Sequence, residues 1–571
     1  MNSSYLRLVV WSALGIALWL NYQTWVHDYG SASTTPSATG TAARSSGGAA
    51  SLGSIIPQAS TSPSQAPPTP SQAAGQTVPP TGTVQKTAAA AQTVEVRTDV
   101  LDVHLSLKGG TIVRAALLKY PKVKGELQPV VLENDASPDT LYLLQTGLSG
   151  SASQPYPTHL AEFTSPSNRY TLAPGASTLA VPLTWTDGHG VTVTKTFLFR
   201  RGEYRVDLEQ TVVNRSTEPW AAAPYAQIVR YDMPTKGSRF IFNVNRISFH
   251  GPAIYDGTKY RTLKITSEEN RHLSLAATGG WLAAPQHDFV SAVIPPAGAP
   301  YRYTLNVRGN EFALALAGPL TTVTPGSTAK FDFRLFVGPT LASALSATAP
   351  HFDLVANYGR LTFLAKPLFW LLEKAHALLG NWGLAIIAVT FLLKLVLYPL
   401  SEASYRSMAK MRALAPRIKT LQESYKDEKE KASRAMMELY KREKVNPVSG
   451  CLPMIVQIPI FFAYYYVLIG SVEMRQAPFY GWIHDLSSRD PYFILPGIMA
   501  VASFFQYKLN PPPPDPTQAK VMMIMPFVLS AMFAFFPAGL VLYYVTNTIL
   551  GVVQQWSITV RIEAAAKRTK A

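Results

Sequence analysis

The chain has one cysteine, Cys451, so it can form no intramolecular disulfide. Any exported domain must rest on its own core. Cys451 opens an apolar segment with no histidine near it in sequence, which reads as a small buried hydrophobe rather than a reactive thiol. No Gly-Lys dipeptide occurs, which excludes a P-loop, and neither HExxH nor GxSxG is present. The ten histidines are scattered without metal-ligand spacing. No enzyme chemistry, metal or other cofactor is expected. Charge is scarce at 15% of residues against 47% hydrophobic, which tilts the chain toward the membrane class. Acidic residues are scarcest where they would matter most: the last five apolar runs contain no Asp or Glu. An ion-coupled transporter normally carries intramembrane carboxylates or their equivalent.

What is present divides the 571 residues into blocks. Residues 1–28 hold an apolar stretch, Leu6 to Val26, behind Arg7 and without a small-residue cleavage pattern. This predicts an uncleaved signal anchor with a cytoplasmic N-terminus. Residues 29–92 are dominated by Ser, Thr, Ala, Pro, Gly and Gln, a composition that cannot bury enough surface to order itself, so a flexible tether is expected. Residues 93–345 carry alternating runs such as VTVTKTFLFR, YRVDLEQTVV and AKFDFRLFV. Period two with Val, Thr, Tyr and Phe predicts strands, and many strands without helices between them predict an all-β sandwich. Its place after an N-in anchor puts it in the periplasm.

Residues 346–380 connect the sandwich to the rest. Over Leu361–Leu379 the apolar positions return to helical spacing, which fits an amphipathic helix on the membrane surface or a core helix of the exported domain. Residues 381–558 hold five apolar spans, near 382–400, 449–470, 491–508, 520–536 and 538–557. With the anchor they make six, interrupted by a cytoplasmic helical hairpin over 401–447. The net charge is +16, and twelve Lys and Arg fall between Arg406 and Lys444. The tail 559–571 adds four more basic residues, whereas the outside loop 471–490 has two. That asymmetry fits the positive-inside rule and a bacterial inner membrane better than a nucleic-acid partner, so no direct nucleic-acid readout is expected.

Lys394 is the exception inside the spans. A charge near a bilayer centre costs roughly 2.5–3.5 kcal/mol on insertion scales. Such a group faces protein or a wet cavity, or snorkels to the interface along its stem. Thr390 and Tyr398 lie one turn away on either side. Polar candidates on other spans are Gln457, Ser503, Gln506, Ser530, Tyr544, Thr546, Asn547 and Thr548. In the hairpin, Met408, Met411, Arg412 and Lys419 form a candidate docking surface for an incoming chain or its delivery machinery. The alternative is a solvated spacer that packs on itself.

The stretch TFLLKLVLYPLSEASYRSMAKMRALAPRI, then NPVSGCLPMIVQIPIFFAYYYVLIGSVEMRQAPFYGWIHDLSSRDPYFILP, then FPAGLVLYYVTN, resembles the YidC-type membrane protein insertases. FVGP at Phe336–Pro339 resembles the family's close of its periplasmic domain. The resemblance spans essentially the whole chain and is strongest from Gly359 onward. It implies insertion of nascent inner-membrane proteins into the lipid bilayer, alone or beside the Sec translocon, with chains received from ribosomes and targeting machinery. It implies a groove open to cytoplasm and lipid with one positive residue, an arginine in better-known members and Lys394 here. Lysine keeps the charge and loses the guanidinium fork. Thr390 and Tyr544 match family positions that contact substrate, and Gln457 and Asn547 are expected to join them in that role. Two alternative classes are a small-anion transporter using Lys394, and a sugar-binding or epimerase-like role for the sandwich. Neither finds repeats, broken helices or an acid–base pair in the sequence.

Overall fold

The computed structural model describes residues 52–58, 92–151, 154–232, 249–356, 361–425, 428–443, 452–510 and 516–568. The expected signal anchor, most of the expected tether and Cys451 lie outside them. The chain divides into two compact units, a β unit from Ala49 to Asn357 with Gly470–Glu473, and a helical unit holding nearly all that follows Tyr358.

The β unit is a sandwich of one eleven-stranded and one eight-stranded sheet. Among the described residues pairing is antiparallel, except where Thr93–Arg97 runs parallel to Arg169–Thr171. The alternation read from the sequence is the alternation of burial. Along Val191–Arg200 the odd positions are buried and the even ones half-buried. One of those inward positions is Lys195, fully buried. Its ammonium donates to the carbonyls of Gly109 and Thr146, both at 2.7 Å, and to Thr146 Oγ1 at 3.2 Å. These bonds stitch one sheet to the other, because Lys195 and Thr146 belong to different sheets. Burial pushes the Lys195 amine down to about 7. Glu133 is the acidic counterpart, fully buried and accepting from the Ser291 hydroxyl. Burial raises its carboxyl to about 8.

Residues 52–58, in the stretch expected to be tether, are ordered against the larger sheet, with Leu52 only 3% exposed. The tether expectation rested on composition, and composition does not register one leucine with a pocket to fill.

The helical unit comprises α1 (Thr362–Leu379), α2 (Trp382–Val396), α3 (Tyr398–Ser424), α4 (Lys429–Arg442), α5 (Leu452–Gly470), α6 (Ile494–Leu509), α7 (Pro516–Phe533) and α8 (Ala538–Arg568). α1 ends at Gly380 in the left-handed region, and Asn381 caps α2 by accepting from Leu384 N. The span expected over 382–400 stops at Val396 and turns by 66° into α3. Pro399 explains the break: it lacks an N–H and restricts Tyr398 before it. No single described helix is long and apolar enough to cross a membrane alone, but α2 together with the first part of α3 is. α6 and the apolar parts of α5 and α7 are shorter apolar helices.

The outward residues identify the solvent. Phe391, Leu392, Leu395 and Val396 on α2 are exposed, as are Ile498, Val501 and Phe505 on α6 and Ile549, Val553 and Trp556 on α8. α5 and α7 continue the pattern with Ile455, Ile458, Phe462, Ile524, Phe527 and Val528. A soluble monomer rarely exposes a contiguous apolar patch beyond a few hundred Å². α3 and α4 differ, packing on each other through Leu414 and Ile418 with Met411, Met436, Leu439 and Tyr440 alongside.

Candidate functional site

Lys394 lies in the last turn of α2, half-buried. Its neighbours are found at Gly551 on α8. A methyl group placed on Gly551 would lie 3.3 Å from Gln506 Nε2, 3.5 Å from Lys394 Nζ and 3.8 Å from Tyr405 Oη. Side chains from α2, α3 and α6 thus converge on one bare turn of α8. The sequence allows this because a glycine within a helix lets other atoms approach the backbone.

A polar seam extends from that point. Ser401, Ser404 and Tyr405 on α3 are buried, as are Thr548 and Gln555 on α8. Gln555 Nε2 donates to Asn510 Oδ1 at 3.0 Å. Ser503 Oγ, Gln555 Oε1 and both amide atoms of Gln554 are buried without a hydrogen-bond partner among the described residues. Buried polar groups are normally paired by protein or water, so this seam is built for hydrogen-bonding occupants. No acidic side chain pairs with Lys394 among the described residues.

The other expected contacts sit in an aromatic block beside the seam. Thr390 is 1% exposed and donates to its own helix, to Ile386 O at 2.6 Å. The hydroxyl of Tyr464 lies beside it. Tyr464 stacks on Tyr543 at 4.1 Å, and the Tyr543 hydroxyl lies beside Gln457. Tyr544 is half-buried with its ring 5.1 Å from that of Phe533 and 6.5 Å from that of Phe461. Seven residues separate Tyr544 from Gly551, so the aromatic block and the cation sit about 10 Å apart along α8. Asn547 is half-buried between those levels. In the hairpin, Arg412 is exposed, Met408 half-buried and Met411 packed against α4, while the Lys419 side chain lies outside the described residues.

One end of the helical unit is covered by the loop before α6. Asp490, 1% exposed, accepts from Trp482 Nε1, Tyr492 N and Leu495 N at 2.7–3.0 Å. Asp485 gathers Gln476 N, Ser487 and Ser488. The loop meets the starts of two helices: Asn381 Nδ2 donates to Pro478 O, Phe479 covers Gly383, and Gly539 N donates to Leu486 O at 2.9 Å.

Sequence reasoning found Lys394 and Gln506 but missed Tyr405, Gly551, Gln554 and Gln555. The signal was available. Tyr544, Thr548, Gly551 and Gln555 recur at helical spacing and trace one face of α8.

A chain that joins an apolar-coated helical unit with a cationic polar seam to a β-sandwich unit is a membrane protein with a large extramembranous domain. Residues 93–371 match the family model described as YidC periplasmic domain, and residues 374–565 match that of the 60Kd inner membrane protein. The membrane protein insertase YidC of Nitrosococcus oceani is 42% identical over 561 residues, 98% of this chain and 99% of its own. That of Cupriavidus necator is 44% identical over 562 residues, 97% of each. A crystal structure of an active YidC insertase aligns over 82% of this chain and 92% of its own, at 18% identity and a TM-score of 0.37. The chain belongs to the YidC family of membrane protein insertases, an inner-membrane family with a periplasmic domain and not a family of enzymes.

Proposed function

We propose that this chain moves nascent inner-membrane proteins from the cytoplasm into the bilayer along the seam at Lys394, alone or beside the Sec translocon. Ribosomes and targeting machinery deliver those chains to the α3–α4 hairpin, where Arg412, Met408, Met411 and Lys419 form the docking surface. The chain crosses the membrane six times, with both termini cytoplasmic and the sandwich periplasmic. The observation that carries the reading is the convergence of Lys394, Gln506 and Tyr405 on Gly551, beside unpaired buried amides and a lipid-type apolar surface. A polar segment of the incoming chain replaces water against these groups. Its hydrophobic helix then passes the aromatic block at Thr390, Gln457, Tyr544 and Asn547 into lipid. Apolar transfer drives that step, at about 0.8 kcal/mol per buried CH₂. No nucleotide is consumed by this chain.

The test is charge replacement in proteoliposomes with a single-span substrate whose translocated segment is acidic. Lys394→Arg is expected to retain insertion and Lys394→Glu to lose it. Normal insertion by a folded Lys394→Glu variant would remove the electrostatic role.

A further inference from the structure

Residues 52–58 occupy a defined slot on the outer face of the eleven-stranded sheet. Along Tyr142–Ser149, Leu144 and Leu148 face the core between the sheets, so Leu143, Gln145, Gly147 and Ser149 face away from it. The neighbouring strand, Trp220–Tyr231, is in register, pairing Leu143 with Val229 and Gln145 with Gln227. Ala313 lies opposite Val229 on the third strand. Leu52 is seated on Val229 and Ala313, with Leu141 and Leu143 beside it.

Beyond that pocket three side chains of the sheet donate to main-chain carbonyls of the segment. Gln145 Nε2 donates to Gly53 O at 3.3 Å, Gln227 Nε2 to Ile55 O at 3.2 Å, and Ser149 Oγ to Pro57 O at 3.0 Å. Gln227 also donates to Gln145 Oε1 at 2.6 Å, which turns the Gln145 amide nitrogen toward Gly53. Leu52–Ser54 form a single 3-10 turn, closed by Ile55 N donating to Leu52 O at 3.1 Å, and the carbonyls taken up by the sheet are that of Gly53 in the turn and those of Ile55 and Pro57 after it. The side chains of Ser54, Ile55 and Ile56 face solvent. Neutral hydrogen bonds to carbonyls and one aliphatic anchor make a more exchangeable contact than a strand locked into a ladder.

We propose that this face is a peptide site, closed in cis by residues 52–58. It accepts in trans a polypeptide that presents one aliphatic side chain from a turn, followed by main-chain carbonyls for Gln145, Gln227 and Ser149. Recognition of main chain makes it tolerant of sequence beyond the anchor. The cis segment is a resident competitor at high effective concentration, so opening the site needs its release. The site is separate from the seam at Lys394 and does not depend on it.

The test uses the full chain in lipid nanodiscs and a fluorescein-labelled peptide with the sequence of residues 49–60, followed by anisotropy. The intact protein is expected to bind the peptide weakly. Leu52→Asp empties the slot and is expected to tighten binding at least about tenfold, consistent with loss of a millimolar-range intramolecular competitor. Adding Gln227→Leu is expected to abolish that gain, and a peptide with the same Leu→Asp change is expected not to bind. Deleting residues 52–58 empties the slot by a second route and should reproduce the gain. An unchanged thermal midpoint of the sandwich verifies that both variants are folded. Equal binding to intact and emptied protein, no binding to either emptied protein, or binding that survives Gln227→Leu would each overturn the proposal. Insertion by Leu52→Asp is expected to match the unaltered chain, which separates this test from that of the seam.

Discussion

Gly551 offers a sharper probe of the seam than the lysine itself, because changing it leaves the charge in place. A Cβ there meets only the ends of flexible side chains, at 3.3 Å from Gln506 Nε2, 3.5 Å from Lys394 Nζ and 3.8 Å from Tyr405 Oη. Those tips can give by the few tenths of an ångström that Gly551→Ala requires. Alanine also favours helix over glycine by about 1 kcal/mol. Gly551→Ala is therefore expected to insert within about twofold of the unaltered protein, a change under about 0.5 kcal/mol. Gly551→Leu puts three further carbons where the three polar tips meet. The ammonium must then move out of the polar seam or lose hydrogen-bonding company there, and a hydrogen bond to a charged group is worth about 1.5–3 kcal/mol where one is lost. If that loss falls on the crossing step, insertion slows roughly ten- to hundredfold. The assay is the initial rate of protease protection of a single-span substrate in proteoliposomes, with circular dichroism verifying equal helix content. Acidic and neutral translocated segments are compared, and the acidic one should suffer more. Full activity of folded Gly551→Leu would refute the reasoning. Equal loss in the Ala and Leu variants would place the defect in packing of α8 rather than in displacement of the cation.

Three other outcomes follow from buried charge. Folded Glu133 keeps its proton up to about 8 whereas the unfolded chain releases it near 4.5, so sandwich stability should fall with rising pH across that window. The limiting slope is about 1.4 kcal/mol per pH unit, and Glu133→Gln should flatten it in denaturant titrations read by tryptophan emission. Lys195 acts with the opposite sign: the folded amine loses its proton near 7 and the unfolded one near 10.5, so stability should rise over that range. Lys195→Met should remove the rise while leaving the Gly109 and Thr146 carbonyls unpaired, a cost of about 1–3 kcal/mol each. Asp490→Ala frees three donors in the loop before α6 and should cost about 2–4 kcal/mol in thermal unfolding, given about 1.5–3 kcal/mol for a hydrogen bond to a charged group; Asp490→Asn, which retains an acceptor, should recover part of it.

The sandwich was legible because period-two alternation reports directly which side chains leave water, as along Val191–Arg200. The helices were legible for a similar reason, although the end of α2 was not. Continuous apolar composition carried the expected span past Val396, while Pro399 imposed the bend. Lys195 shows the limit of such patterns: its inward phase was readable, but its three acceptors come from residues far away in sequence. Residues 52–58 show it again, since a low-complexity stretch hides one leucine whose pocket exists only after three strands pair.

Among the described residues no acid pairs with Lys394, and that gives the seam its character. A carboxylate within reach would form a buried pair that satisfies both charges and needs no water. An unpaired ammonium instead requires polar company, and the tips of Gln506 and Tyr405 gather at the same turn of α8 without neutralising the charge. Gln554 and Ser503 add unpaired polar atoms from two other turns of α6 and α8. Introducing an acid should therefore damage function more than removing the cation. Thr548, buried one turn before Gly551 on the same face of α8, is the position for that experiment. Thr548→Asp is expected to lower insertion of acidic segments below the level of Lys394→Ala, because it both neutralises the ammonium and repels the substrate. Lys394→Ala leaves the amides and hydroxyls of the seam to hold water. If Thr548→Asp, folded by circular dichroism, inserts acidic segments better than Lys394→Ala, an unneutralised cation is not what the seam provides.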